Sequence, residues 1–457
     1  MHKYLFNFLR RSFAIFTVIL VGNAYGQNTS TSAFSSYGIG EIDGIDNATF
    51  LGIGNSTITF FDSTTVNYFN PSTYNSYAKG QPLFSMGVSS RISIYRENEL
   101  ENINRTVTLN HFAMGFSFAK HFGIAFGLKP FSRRGYNFST ISQVNFGTDS
   151  VKHTYIGSGS ASEAFLGISS TLIKYKNHHV SVGGNLGFVF GSVTNERRSN
   201  LIGSATGGIE MKSTKVQSLH YEFGLNYKWS ISKKHSFIVA GVVTPAQDLR
   251  SSERTDLYYS KFVDNVSFYD KLDSTISSIG AIRLAPSSTF GINYNFGFGD
   301  VNRKDKIRNS EVSFHISYNI SDWSKYYSRF DAVTENPGYL ATSRINFGIQ
   351  YVPEKEFLAQ STKSNFLEIV RYRVGCYQYT LPFSTDGLKQ VDSGATFGFG
   401  IPIGVQKSLS SINIGFAAGK RGGGVEGTVS ENYYGINLGI VFAPGNFERW
   451  FVKRKLD

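Results

Sequence analysis

Cysteine is nearly missing from this chain. Cys376 stands alone among 457 residues, which rules out an intrachain disulfide and any metal site built from several thiolates. Proline is sparse, with 10 residues against 47 glycines. No apolar run reaches the roughly 20 residues that a helix needs to cross a bilayer. Lysine and arginine outnumber acids 45 to 33, yet they are scattered or sit in short turns. The net charge of +12 therefore lacks the basic helix or stripe that nucleic-acid binding requires. No phosphate-binding glycine motif and no cluster of metal ligands occurs, so no cofactor or metal is expected.

What the chain has instead is aromatic residues, glycine and alternation. Phe and Tyr number 40 and 26 within a total apolar content of only 41%. That balance fits many antiparallel strands with one apolar and one polar or small face. The run Asn432–Phe442 is representative: Tyr434, Ile436, Leu438, Ile440 and Phe442 alternate with Gly435, Asn437 and Gly439. Alternate side chains of a strand point to opposite faces. In a soluble sandwich the apolar face would meet a second sheet; in a membrane barrel it meets lipid, and the small polar face looks into the lumen. The same contrast recurs where Phe112, Met114, Phe116 and Phe118, then Ile124, Phe126 and Leu128, alternate with Ala113, Gly115, Ser117, Ala125 and Gly127.

Fourteen such runs are expected, near 82–95, 106–118, 122–142, 153–173, 178–195, 208–229, 235–248, 281–298, 310–320, 342–352, 366–380, 394–406, 411–420 and 430–442. An even count suits a single-chain bacterial barrel. Short connections such as Lys174–His178 and Ser230–Lys234 alternate with longer polar ones near 249–280, 321–341 and 381–393, the asymmetry expected of periplasmic turns and external loops. Trp229, Trp323 and Trp450 fall at or just beyond strand ends, where an interfacial belt would lie. The fold class is thus an all-β transmembrane antiparallel barrel of about fourteen strands, occupying residues 82–442.

The flanking segments differ. Residues 1–26 combine Lys3, Arg10 and Arg11, a short apolar stretch Ser12–Val21, and Ala24-Tyr25-Gly26, the layout of a cleaved signal peptide. Export to a Gram-negative outer membrane is expected, with Gln27 opening the mature chain. Residues 27–81 are Ser/Thr/Asn-rich without alternation, so they supply no barrel strand; a barrel of this size leaves space for them as a lumenal hatch. Residues 443–457, with Trp450 and Lys453-Arg454-Lys455, form a basic tail on the periplasmic side. The closing strand is expected to pair with the first, near Leu83–Ile94.

Several ordered motifs resemble a known family. Leu51-Gly-Ile-Gly-Asn-Ser-Thr57 followed by Asn70-Pro-Ser-Thr-Tyr74 is similar to the N-terminal pattern of FadL/TodX outer-membrane transport proteins, with Ser72 replacing the usual Ala. Leu128-Lys-Pro-Phe-Ser132 with Gly135-Tyr136, Asp322-Trp-Ser-Lys-Tyr326, Gly419-Lys-Arg-Gly422, Glu431-Asn-Tyr-Tyr434 and Trp450-Phe-Val-Lys-Arg-Lys455 resemble a Bacteroidetes-type branch of it. The resemblance implies a fourteen-stranded barrel with an N-terminal hatch in the lumen. It also implies passive uptake of small hydrophobic compounds such as long-chain fatty acids or hydrocarbons. Related barrels serve protein-secretion machines, which gives the alternative of an accessory partner.

The candidate site residues follow. Pro130 lacks the N–H that a strand interior needs, and Gly135 permits a further bend. Together they predict a kink in the third strand, the feature through which the resembled family opens a lateral gap. Arg133 and Arg134 are candidate partners for a carboxylate or a lipopolysaccharide phosphate. Gly52, Gly54, Asn70 and Pro71 are expected to shape the hatch. His179 with Ser181, and His315 with Ser317, each share a strand face as a phospholipase pair would; Val180, Val182, Phe314 and Ile316 claim the lipid face and turn both pairs inward. No enzyme is expected. Cys376 reads as a small packing residue. The expected partners are membrane lipid, lipopolysaccharide, a small hydrophobic ligand and secretion-machine proteins.

Overall fold

A computed structural model describes residues 32–443, apart from 37, 43–46, 120, 145–148, 205, 264–265, 273–275, 299–309, 332, 354–365, 386, 404–408 and 425–427. The expected signal peptide and the basic tail with Trp450 lie outside the described residues. Fourteen antiparallel wall strands follow one another around a cylinder: β1 Leu83–Glu97, β2 Leu100–Ala119, β3 in two parts (Phe122–Arg133 and Tyr136–Val144), β4 Asp149–Tyr175, β5 His178–Leu201, β6 Thr206–Ser230, β7 in two parts (His235–Thr244 and Gln247–Val263), β8 in two parts (Ile276–Leu284 and Ser287–Phe298), β9 Ser310–Ser321, β10 Thr342–Val352, β11 Arg371–Thr385, β12 Leu388–Pro402, β13 Ser411–Gly422 and β14 Ser430–Phe442. Strand β14 closes the barrel on β1, from Phe84↔Phe442 to Arg96↔Ser430. Each of the fourteen expected runs contains a wall strand, although Phe366–Ile369 is a helical turn ahead of β11 and 404–406 lie outside the described residues.

The outside of this wall is apolar. Phe112, Phe126, Leu166, Phe188, Leu219, Leu225, Ile292, Phe314, Ile316, Phe347, Phe397, Ile436 and Phe442 are exposed on it, a belt that water would not tolerate and lipid covers. Cys376, exposed beside Val374 on β11, belongs to this outer face rather than to a packed interior.

Two of the expected long loops are instead strand. Polar residues near 249–280 continue β7 and β8, paired from Gln247↔Leu284 to Thr255↔Ile276, and 381–393 form the tight hairpin between β11 and β12. The Thr, Tyr and Ser that made these segments look loop-like also suit a pleated sheet standing in water. A lipid crossing needs about 9–11 residues per strand, so β4, β5 and β6, of 27, 24 and 25 residues, project far beyond the belt. Of the three expected long loops, 321–341 is an inserted loop, holding among the described residues the turn Trp323–Lys325 and the short strands Tyr327–Phe330 and Val333–Glu335.

Residues 47–77 fill the lumen. The helical turn Ala48–Leu51 is capped by Asn47, whose side chain accepts from Thr49 N at 2.9 Å. Asn70 caps Pro71–Ser76 in the same way, accepting from Ser72 N at 3.1 Å and donating to Ile58 O at 2.7 Å. Pro71 is suited to the first helical position because its missing N–H is not needed there. This segment lies directly against glycines of the wall. A Cβ on Gly123, Gly183, Gly348 or Gly375 would come within 2.0, 2.4, 2.2 and 2.2 Å of Tyr74 O, Pro71 O, Ile53 O and Gly54 N. Gly115, Gly167, Gly224, Gly291, Gly398, Gly415 and Gly439 meet the same segment on seven further strands. Eleven of the fourteen strands thus contribute to one inner girdle of glycine. Gly54 adds a positive φ of 65°, which disfavours any larger residue.

Gly348→Val should therefore loosen the segment while sparing the ladder, since Val is a good strand former. Overpacking of this kind costs roughly 1–3 kcal/mol, so proteolysis between residues 47 and 80 should be at least about fivefold faster than in the parent barrel. Equal cleavage rates would show that the girdle does not hold the segment.

Candidate functional site

Behind the girdle the lumen carries charge. Arg421 of β13 makes ion pairs to Asp392 of β12 at 2.9 Å and to Glu41 of the N-terminal segment at 2.8 Å, with Glu431 of β14 at 3.7 Å. Arg91 of β1 reaches Glu431 at 3.0 Å, and Ser93 donates to the same oxygen at 2.7 Å. Tyr433 donates to Asp392 at 2.5 Å, is hydrogen-bonded to Tyr377, and lies under the Arg91 guanidinium at 3.8 Å. Burial alone would raise the Glu41 carboxyl, but Arg421 and Arg91 hold it below the usual carboxylate range. The cluster ties Glu41 of the N-terminal segment to four wall strands, β12, β13, β14 and β1. Around it opens a cavity of about 220 Å³ whose lining also includes Phe34, Ile39, Leu51, Tyr339 and Leu381.

A second group sits across the lumen. Lys129 of β3 lies 3.4 Å from Glu163 of β4 and 3.8 Å from Glu222 of β6, and His220 stands 3.1 Å from Glu163. Asn185 of β5 donates to Glu222 at 2.6 Å and accepts from the Tyr74 hydroxyl at 2.8 Å. These charges are compensated by neighbours, as buried ions must be. They border a cavity of about 310 Å³ with Tyr68, Phe69, Pro130, Phe131, Val242 and Leu284. Among the described residues, no group of three or more His, Cys, Asp or Glu is placed to hold a metal.

The wall itself has a seam. Strand β2 pairs with β3 only from Ala119↔Phe122 to Phe112↔Leu128, although β2 continues to Leu100 along β1. Above Leu128 the chain reaches Pro130, where the β3–β4 register slips between Pro130 and Ser132. A proline contributes no N–H to the ladder, and a bulge re-aims the strand. Gly135 marks the break between the two parts of β3; its carbonyl accepts from Ser32 N at 2.7 Å. The gap so made is crossed by Arg133, which donates to Thr108 Oγ1 at 2.7 Å and towards Leu109 O at 3.4 Å. On its inner side the strand Glu41–Ile42 pairs with Arg133 and Ser132. The 220 Å³ cavity reaches the seam at Thr106, Thr108 and Arg133.

These placements redirect several expectations. Arg134 is not available to an external phosphate: it is 2% exposed and donates to Asn195 Oδ1 at 2.7 Å and to the Gly38 carbonyl. Arg133 is engaged across the seam. Trp323 is no belt residue; it packs on Tyr326 and Tyr339 over the cluster of Ile39, Phe131, Val189 and Leu249, because loop 321–341 folds inward over the mouth. Both His/Ser pairs serve the lumen filling. Ser181 donates to Ser72 O at 2.9 Å, and His315 is hydrogen-bonded to Thr59 Oγ1 at 3.2 Å. Gly52 and Gly54 meet the girdle at Gly398 of β12 and Gly375 of β11, and Asn70 and Pro71 meet it at Gly224 of β6 and Gly183 of β5. The residues missed by sequence reasoning are the inward charges Arg91, Lys129, Glu163, Asp392, Arg421 and Glu431. Each is a lone charge on the small face of an alternating strand, and that was the signal available.

A membrane-spanning β-barrel of fourteen strands, with its N-terminal segment packed inside and a seam beside a kinked third strand, is the class that this geometry defines. The chain belongs to the BamG family, whose model matches residues 8–457. Among solved structures it is similar to the toluene transporter TbuX of Ralstonia pickettii, at 11% identity over 88% of this chain and 98% of that one, with a TM-score of 0.53. The toluene transporter TodX of Pseudomonas putida matches at 13% identity over 88% and 98%, with a TM-score of 0.51. A FadL homologue of Pseudomonas aeruginosa matches at 11% identity over 88% and 98%, with a TM-score of 0.50. At these identities the likeness is one of fold. No curated protein sequence matches the chain.

Proposed function

We propose that this barrel is an outer-membrane channel for passive uptake of small hydrophobic compounds, entering at the far mouth and leaving sideways through the β2–β3 seam. The reading rests on one observation: the ladder stops at Phe112↔Leu128 near Pro130, and a lumenal cavity of about 220 Å³ reaches the seam beyond that stop at Thr106, Thr108 and Arg133. A benzene-sized molecule needs about 150 Å³, so by size the space suits a monoaromatic compound better than an extended long-chain acid, with Phe34, Ile39, Leu51, Tyr339 and Leu381 as its apolar side. The seam borders exposed Leu109, Phe112 and Leu128, so a molecule leaving there meets lipid rather than water. The shared fold with toluene transporters supports the same reading. The rim where Leu83 enters and Phe442 leaves would face the periplasm, after export on a signal peptide ending at Gly26.

Pro130→Val restores a ladder donor and a strand former at the kink. Uptake of labelled toluene by liposomes carrying this variant should fall severalfold; unaltered uptake would sink the lateral route. A second reading, an accessory barrel of a protein-secretion machine, draws on the close packing of residues 47–77 against the girdle. A partner that co-purifies stably while the parent barrel takes up no toluene would favour it.

A further inference from the structure

Two cavities of the lumen meet at a cation that holds no carboxylate. The cavities of about 220 and 310 Å³ share five lining residues, Ile42, Asn55, Trp323, Arg344 and Tyr379, so these side chains form the partition between them. Arg344 points inward from β10, directly opposite Asn319 of β9 and Tyr379 of β11. Elsewhere on the inner wall Arg91, Lys129 and Arg421 each hold a carboxylate, at 3.0, 3.4 and 2.9 Å. Arg344 does not. Its one partner among the described residues is the ring of Tyr379, whose centroid lies 4.3 Å from the guanidinium carbon. Asn319 is engaged elsewhere: its amide donates to Ser287 Oγ at 2.9 Å and Thr289 Oγ1 at 2.8 Å, and its carbonyl accepts from Ser321.

A guanidinium stacked on a ring is held in place, and its N–H donors lie in its own plane, away from the ring face that it covers. Arg344 is therefore a fixed fork whose donors are left to the cavities. Such a fork matches the two oxygens of one carboxylate, and the charge strengthens both hydrogen bonds. Tyr379 and Trp323 add flat ring surface at the same partition. A benzene-sized body needs about 150 Å³, and either cavity exceeds that. We infer that Arg344 anchors a small aromatic carboxylate, with the carboxylate on its guanidinium and the aromatic ring in the 220 Å³ cavity. The inference rests on the uptake reading for the compound's passage, and narrows its cargo to an aryl acid; the site itself is read by binding alone.

Equilibrium binding of labelled benzoate and labelled toluene to the full chain in lipid nanodiscs, corrected by empty discs, tests it at neutral pH. Benzoate should bind at least about tenfold more tightly than toluene, the margin that a charge-assisted hydrogen bond supplies. Arg344→Gln should weaken benzoate at least about tenfold and leave toluene as it was. Arg344→Lys, which keeps the charge but not the fork, should fall between. Equal benzoate binding by the parent and Arg344→Gln would overturn the inference. So would dodecanoate displacing benzoate at the lower concentration, since the site would then select an alkyl chain. Benzoate binding that appears only after Asp43→Asn and Asp46→Asn would overturn it too, because the chain's own acids would then hold Arg344. Uptake separates this site from the reading beneath it. Arg344-dependent binding without passage into liposomes supports the site and sinks uptake, whereas toluene uptake by a barrel that binds no benzoate sinks the site alone.

Discussion

Deletion of residues 27–81 should turn a closed barrel into an open pore, with a stable conductance in planar bilayers where the parent shows almost none. A wall of eight strands is filled by its own side chains, and one of sixteen leaves a water channel. Fourteen strands fall near the second case, yet here the inward wall is lined by glycines whose missing Cβ atoms are replaced by the backbone of residues 47–77. Removing that backbone leaves the girdle positions with no side chain to close the space. The wall should survive, because closure by β14 on β1 does not involve the segment. What it loses is a set of interior hydrogen bonds, such as Gly54 N to Thr396 Oγ1 at 3.0 Å and Ser181 Oγ to Ser72 O at 2.9 Å, whose wall partners can turn to water. Unchanged single-channel conductance in the deleted barrel would mean that wall side chains or loop 321–341 close the lumen unaided.

The fourteen strands were legible because the period-2 pattern is local: each run carries its own apolar face, and lipid demands it of every strand alike. Less legible was what fills the centre. Gly348, Gly375 and Gly398 lie on the inner face of the wall. The reason for glycine rather than serine is the approach of Ile53, Gly54 and Gly52, separated from them by about three hundred residues of chain and invisible to any window. Proline's missing donor at Pro130 was legible, and the β3–β4 register slips there. The end of the β2–β3 ladder was not, because it depends on where two neighbours part. Polar content misled at 249–280 and 381–393, where strands run on into water and no longer need an apolar face.

The buried charges show most sharply how such positions behave, and Arg421 carries the largest expected effect among them. Its guanidinium lies among Asp392, Glu41 and Glu431, and Arg91 is the other cation of the cluster. Arg421→Ala leaves three carboxylates facing one guanidinium inside the barrel. Breaking a buried ion pair from one side typically costs about 3–5 kcal/mol, whereas replacing all partners together can be nearly neutral. The single variant should therefore lose its heat-resistant, compact mobility on a gel at a clearly lower temperature than the parent. Arg421→Met combined with Glu41→Gln and Asp392→Asn should recover most of the difference. Acid supplies a third arm. Because Arg421 and Arg91 hold the Glu41 carboxyl below its ordinary range, its contribution is complete above that range and is lost as pH falls through the depressed value. The parent should thus release its N-terminal segment to protease more readily on acidification, and a Glu41→Gln variant should show a flatter response. A single variant as stable as the parent, or a triple variant no better than the single one, would show that this cluster does not fasten the segment to the wall.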